Sequence, residues 1–106
     1  ADVWTLLHDR GADLVLVGHE HNYERFAQLD GNGVPAANGL REIVAGTGGQ
    51  SHYGGFGPGP PLPGSEVRNG DTYGVLRVEL LPDRYEWEFL PEAGMSFTDA
   101  GSTPCH

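Results

Sequence analysis

The sequence predicts a mixed α/β (α+β) fold with a short N-terminal helix, a mixed β-sheet and a closing β-hairpin. Two patterns lead to this prediction. A continuous apolar run, Leu14–Val17, stands between a helical pattern and a histidine-containing segment, which is typical of a strand buried on both faces. Further along, residues 72–81 and 84–90 alternate apolar and polar side chains, as the strands of an antiparallel hairpin do.

The first 17 residues are expected to form one helix and one strand. Val3, Leu6 and Leu7 recur at helical spacing and Gly11 can end the helix, so we expect a short amphipathic helix over residues 2–10. A strand over residues 13–17 follows. A helix, a glycine turn and a buried strand together indicate a site beyond the carboxyl end of that strand.

From residue 30 onward, strands are expected to alternate with turn-rich segments. We expect turns over residues 30–39, a strand over 40–45 and a long Gly/Pro-rich loop over 46–64, which is of a length usually associated with function or disorder. A turn at Pro82 and Asp83 joins the hairpin strands, and residues 70–71 form another turn. The tail after residue 91 is expected to be irregular. The hairpin places three aromatic side chains on one face as core residues: Tyr85, Trp87 and Phe89.

Composition excludes several partners. The chain has 106 residues, at most one domain, and carries six arginines and no lysine against 15 acidic residues, a net charge of −9. This balance disfavours nucleic acid and anionic membranes as partners, and there is no apolar run long enough for a membrane segment. A phosphate-bearing substrate would need bound cations to reverse the local field. Cys105 is the single cysteine, so it is either an unpaired thiol or bridged to a cysteine outside this sequence.

The segment Gly18-His19-Glu20-His21 contains the main candidate site residues. If the strand continues, His19 and His21 point to one side with Cβ atoms roughly 6–7 Å apart, and Glu20 points away. That spacing suits two ligands of one metal ion, or one ligand on each of two neighbouring ions. Gly18 lets the backbone approach whatever is bound.

Residues 18–25 resemble the last motif of the calcineurin-like metallophosphoesterases, and residues 21–25, His-Asn-Tyr-Glu-Arg, resemble the purple acid phosphatase branch of that family. The glycine-rich turn at residues 45–49 and the closing hairpin agree with the resemblance, which covers most of the chain. It implies the C-terminal portion of a four-layer αββα metallophosphoesterase fold. Residues 1–106 would be the C-terminal segment of a single domain that is incomplete without upstream sequence.

The resemblance also implies a function, a metal-dependent phosphoric ester hydrolase. Two metal ions (Fe, Zn or Mn) would be held with the help of His19 and His21, one imidazole to each ion, and a hydroxide between the ions would attack phosphorus. Glu24 and Arg25 could serve as outer hydrogen-bond partners of the histidines or as a structural ion pair. His52 in the glycine-rich loop is a candidate for approaching the substrate phosphate.

The family's other ligand motifs (Asp-x-His, Gly-Asp, Gly-Asn-His and a further lone His) are not found upstream of the histidine pair. We therefore expect the upstream part of the same protein to be a partner, alongside the phosphate ester substrate, and the chain by itself to be inactive. An open sheet edge as apolar as Leu14–Val17 would also invite pairing between two copies. The family branch favours a secreted protein.

Two other metal-site classes fit the sequence around the histidine pair less well, and one alternative gives the histidines no function. A metallo-β-lactamase-type site wants Asp two residues after the second histidine, where Tyr23 stands, and a cupin-like site lacks a later histidine motif. A non-catalytic, β-rich binding module with incidental histidines remains the alternative from another class. In that case the Gly/Pro-rich loop and exposed aromatic side chains would form the binding surface.

Overall fold

Seven strands in two sheets and one short helix make up the part of the chain that the structure, a computed structural model, describes, residues 3–48 and 62–106. The mixed α+β class is therefore confirmed. In chain order the elements are α1 (Val3–Asp9), β1 (Leu14–Val17), β2 (Tyr23–Phe26), β3 (Arg41–Ala45), β4 (Ser65–Asn69), β5 (Gly74–Leu80), β6 (Arg84–Pro91) and β7 (Ala100–Pro104).

The first sheet has the strand order β1-β3-β2-β4 and is mixed, as predicted. β1 pairs with β3 in parallel, and β2 pairs antiparallel with both β3 and β4. Because β1 and β3 are parallel neighbours, their carboxyl ends meet at the same end of the sheet. The loop after β1, which contains both candidate histidines, therefore lies beside the turn after β3.

The second sheet, β5-β6-β7, is fully antiparallel. The predicted hairpin is confirmed: β5 and β6 pair from Gly74 opposite Pro91 to Leu80 opposite Tyr85, and Leu81 N donates to Arg84 O at 2.9 Å across the turn. The turn at residues 70–71 is also confirmed, since Asn69 Oδ1 accepts hydrogen bonds from the backbone N–H groups of both Asp71 and Thr72.

The core lies between the two sheets. Alternation along β6 directs its aromatic side chains to the first sheet, and all three predicted core aromatics are buried. The ring of Tyr23 packs on Phe89 with centroids 4.9 Å apart, and Phe97 meets Tyr23 edge to face. The buried cluster consists of Tyr23, Ile43, Tyr85, Trp87 and Phe89.

One end of this interface is polar and charged. The Asp99 carboxylate accepts hydrogen bonds from Tyr23 Oη at 2.6 Å, Arg25 Nε at 2.7 Å and Trp87 Nε1 at 3.2 Å. The guanidinium groups of Arg25 and Arg41 lie 5.2 and 4.8 Å from the centroid of the Trp87 ring, within cation–π range. A buried charge is tolerated only when paired, so these contacts make the arginines compatible with the interior.

Two predictions about the strands are wrong, and two strands were not predicted. β1 is not buried on both faces: it is an edge strand, and Leu16 is 54% exposed because the groove between β1 and β5 is open. The tail is not irregular throughout, since Ala100–Pro104 pairs with β6 as β7. β2 and β4 are strands that the patterns did not predict.

The helix is peripheral. None of its residues is buried, and it is attached through Trp4 Nε1, which donates to Asp30 O at 2.9 Å. Gly11 takes φ +80° just beyond its end, a conformation that favours glycine.

Residues 30–39 form turns with isolated bridges, as predicted. In residues 3–48 and 62–106, no helix has the length and apolar character needed to cross a membrane.

We expect Asp99→Asn to lower the free energy of unfolding by about 2 kcal/mol, because it removes the charged acceptor of Arg25 and leaves this half-buried side chain paired only with Glu66. Arg25, Tyr23 and Trp87 keep the pKa of Asp99 below its ordinary value, although burial opposes this. The stability from Asp99 is therefore complete above about pH 4, the unfolded aspartate pKa, and is lost as pH falls through the lower folded-state pKa.

Urea unfolding of both proteins between pH 7 and pH 2 measures this effect. Asp83→Asn is the matched control, because Asp83 is an exposed carboxylate on the hairpin turn and its loss should leave stability nearly unchanged. If Asp99→Asn and the unsubstituted chain lose stability in parallel as the pH falls, the pH dependence does not come from Asp99.

Candidate functional site

The candidate histidines lie on a bent loop rather than on a continuing strand. β1 ends at Val17, and residues 19–22 are bends. Asn22 N donates to Glu20 O at 2.9 Å, which closes a tight turn around His21. The strand alternation on which the expected 6–7 Å spacing depends therefore does not extend to His19 and His21.

The loop is fixed to the end of β3. Gly46 N donates to Asn22 O at 3.1 Å, and Asn22 is buried. A Cβ atom on Gly46 would lie 2.7 Å from Gly18 O and closer still to Glu20 O, both backbone atoms that cannot swing aside. Gly46 is thus the residue whose missing side chain gives the histidine loop its room.

Thr47 continues this connection to the second sheet. Its Oγ1 donates to Gly74 O at 3.0 Å, and its carbonyl accepts from Gly74 N at 3.0 Å. Thr47 is buried, so both bonds are shielded from water. The histidine loop, the end of β3 and the start of β5 are therefore joined by consecutive backbone contacts.

The two imidazoles differ in exposure. His19 and Glu20 are exposed, whereas His21 is half-buried against the loop. Neutral imidazole nitrogens are suitable ligands for Zn, Fe or Mn, so the donors fit the implied metals in kind. They do not suffice in number: within residues 3–48 and 62–106, no group of three or more His, Cys, Asp or Glu side chains could hold a metal ion.

The other candidate residues are placed as follows. Gly18 lies directly after β1, and a Cβ atom added to it would be 3.9 Å from Ala45 O. Glu24 is buried and accepts a hydrogen bond from Ser65 Oγ at 2.6 Å. Arg25 pairs with Asp99 and Glu66. The contacts of Glu24 and Arg25 thus support the sheets, and their role as outer partners of the histidines stays a prediction.

His52, the candidate for approaching the substrate phosphate, lies outside the described residues, so this role also stays a prediction. The described ends of the predicted Gly/Pro-rich loop, residues 46–48 and 62–64, have no helix or strand, in agreement with the prediction.

A groove of about 670 Å³ opens beyond Gly46. It begins at Thr47 and Gly48 and runs along the ends of β5 and β6 to Glu92. Tyr73, Val75, Leu90 and Pro91 supply apolar surface to its walls. None of residues 18–22 lines this groove, so it is a separate, partly apolar depression that could receive part of a ligand.

Sequence reasoning missed the residues that fix the loop in place. Asp99 lies in the segment predicted to be irregular, and its partners Tyr23 and Arg25 are more than 70 residues away in sequence. The Gly-Thr-Gly sequence at the end of an apolar strand did mark the turn at Gly46, but not its contact with the loop.

Comparisons of the chain with protein-family models, with curated proteins and with solved structures find no match.

We expect Gly46→Ala to displace the histidine loop or strain the end of β3, at a cost of about 1–3 kcal/mol in unfolding free energy. Gly48→Ala is the matched control, because an added Cβ there meets no atom within 4 Å in the described part of the chain.

Amide chemical shifts of residues 18–22, together with urea unfolding, test this expectation. Gly46→Ala should move those shifts and Gly48→Ala should not. Equal stability and unchanged loop shifts in both variants would show that the loop does not rest on Gly46.

Proposed function

We propose that this chain supplies the last two histidine ligands of a metal-dependent phosphoric ester hydrolase of the metallophosphoesterase type. The proposal rests mainly on one observation: His19 and His21 lie on a loop at the carboxyl end of β1, at the edge of a mixed sheet. Sites of α/β proteins occur beyond the carboxyl ends of strands, where loops bring side chains together. The fold proposed for the whole protein is the four-layer αββα sandwich.

The remaining metal ligands would come from upstream sequence of the same protein. Two histidines in the described residues cannot hold two metal ions by themselves. β1 has an open edge and Leu16 is exposed beside it, so additional chain can be accommodated on the side where the histidine loop lies. This location is consistent with an enzyme whose site forms between this segment and a preceding one.

The residues of this chain would hold and orient the metal ions. His19 and His21 would donate ring nitrogens to the metal ions, and Gly46 would fix the loop that carries them. Bound metal ions in such a site supply a hydroxide at neutral pH and stabilise negative charge on phosphoryl oxygens. The net charge of −9 repels phosphate esters elsewhere on the surface, so binding would depend on the metal site.

A second candidate is a non-catalytic binding module. The groove of about 670 Å³ favours it, since the described residues that line it include Tyr73, Val75, Leu90 and Pro91 and no histidine. In this alternative the groove binds a partner or small molecule, and the histidines are incidental.

Metal titration separates the two candidates. We expect Zn²⁺ or Mn²⁺ to bind the 106-residue chain weakly and to perturb the imidazole resonances of His19 and His21, because two nitrogen donors make an incomplete site. His21→Ala should remove this binding. His8→Ala, on the helix, is the control and should leave it unchanged.

The same chain should hydrolyse p-nitrophenyl phosphate slowly or not at all. Robust hydrolysis that His21→Ala abolishes would contradict the incomplete site. Metal affinity that survives both His19→Ala and His21→Ala would favour the binding module. The coding sequence ahead of Ala1 gives an independent answer: the proposal requires Asp-x-His, Gly-Asp, Gly-Asn-His and a further His there, in that order.

A further inference from the structure

Among the described residues, no strand pairs with the outer edge of β5, so this edge has backbone groups available for pairing. β5 is the first strand of the sheet order β5-β6-β7, and Leu81 N bonds to Arg84 O at the hairpin turn. In an antiparallel ladder, hydrogen-bonded and non-hydrogen-bonded residue pairs alternate. Since Leu81 bonds to Arg84, the other odd-numbered residues of β5 also bond to β6, and the peptide groups of Leu76, Val78 and Leu80 point away from β6. Gly74 N, which bonds to Thr47 O instead of β6, agrees with this alternation.

Apolar side chains accompany the free backbone groups. Leu76 and Val78 pack against the buried core, and Leu80 continues the same row but is 77% exposed. On the other face, Val75 is 59% exposed. The edge therefore offers uncovered apolar surface as well as unpaired hydrogen-bonding groups.

The charges on this strand are unbalanced within the chain. Glu79 lies directly opposite Glu86 on β6, and like charges in such a pair are unfavourable. Arg77 bonds to Glu88, and Arg84 bonds to Glu86, but Glu79 has no ion-pair partner among the described residues. A cation on the open side of β5 would relieve this repulsion.

We propose that β5 pairs antiparallel with β5 of a second copy of this chain, about a two-fold axis at Val78. In this register Arg77 lies opposite Glu79 of the second copy, and the reverse pair forms by symmetry. Leu76 lies opposite Leu80 of the second copy, so the exposed leucine is covered. The outward N–H and C=O groups of Val78 meet their own counterparts, as a closely spaced antiparallel pair requires.

The charges select this register rather than preventing pairing. Charged side chains on an edge strand normally block association. Here one residue of each sign stands two positions apart, one on either side of Val78, so the two-fold axis brings opposite signs together. The result is a continuous six-stranded sheet with two added cross-strand ion pairs.

The edge of β4 has a similar sequence but is less suited to pairing. Glu66 and Arg68 flank Val67 in the same way, yet Glu66 already accepts from Arg25 and Arg41. The register of β4 on β2 is also interrupted next to Phe26. β5 is longer, regular and has the unpaired acid, so it is the edge that fits a second copy.

A charge-swap series measured by sedimentation equilibrium from micromolar to millimolar concentrations tests the proposal. A single strand edge buries less area than a standard interface, so the dimer is expected to be weak. Arg77→Glu and Glu79→Arg should each weaken dimerisation by about tenfold, since each creates two like-charge pairs across the axis. The double substitution should restore it, because the signs match again.

Arg68→Glu on β4 is the matched control and should leave dimerisation unchanged. Far-UV circular dichroism confirms that each variant is folded. Amide exchange gives a second measurement: Leu76, Val78 and Leu80 should become protected as concentration rises, while Arg77 and Glu79, already bonded to β6, should not change. The proposal is overturned if the chain is strictly monomeric. It is also overturned if neither single substitution changes the dimerisation constant, which is the result expected for a dimer that pairs through β1.

Discussion

The ion pair between Asp99 and Arg25 is the contact on which the joining of the two sheets depends. Arg25 and Arg41 extend from the first sheet into the space between the sheets, where an unpaired guanidinium would cost several kcal/mol. Asp99 arrives from the segment before β7 and pairs with Arg25 beside Trp87, while Glu66 pairs with Arg41. The second sheet is therefore held by charge at one end of the interface and by apolar contact at the other.

This arrangement also determines where the C-terminal segment runs. Phe89 N donates to Asp99 O at 2.7 Å and Thr98 Oγ1 donates to Phe89 O at 2.6 Å, so residues 98–99 are fixed to β6 on both sides of the carboxylate. The next residues continue along β6 as β7. Gly101 then lies opposite Trp87, where the indole ring occupies the space that a side chain would need.

The sequence predicts the hairpin well because the information there is local. Tyr85, Trp87 and Phe89 alternate with charged residues, and this period of two specifies both the strand and its buried face. β7 escapes prediction because Ala-Gly-Ser-Thr-Pro has weak strand propensity and pairs only since β6 offers an edge. The exposure of Leu16 could not be predicted either, because an apolar run does not specify what covers it.

The site shows the same division between local and distant information. The positions of His19 and His21 after β1 follow from the apolar run and the glycine. Their mutual geometry does not, because the loop shape depends on Gly46, a residue 26 positions beyond Glu20 that the local pattern does not connect to it.

The adjacent bonds of Gly46 and Thr47 give the molecule a mechanical property. One residue bonds to the histidine loop and the next bonds to the first residue of β5, so a movement of this single stretch of backbone disturbs both contacts at once. Local opening of this stretch would therefore release the histidine loop and the start of the hairpin together. The placement of the two imidazoles thus depends on the same stretch of backbone that anchors the hairpin.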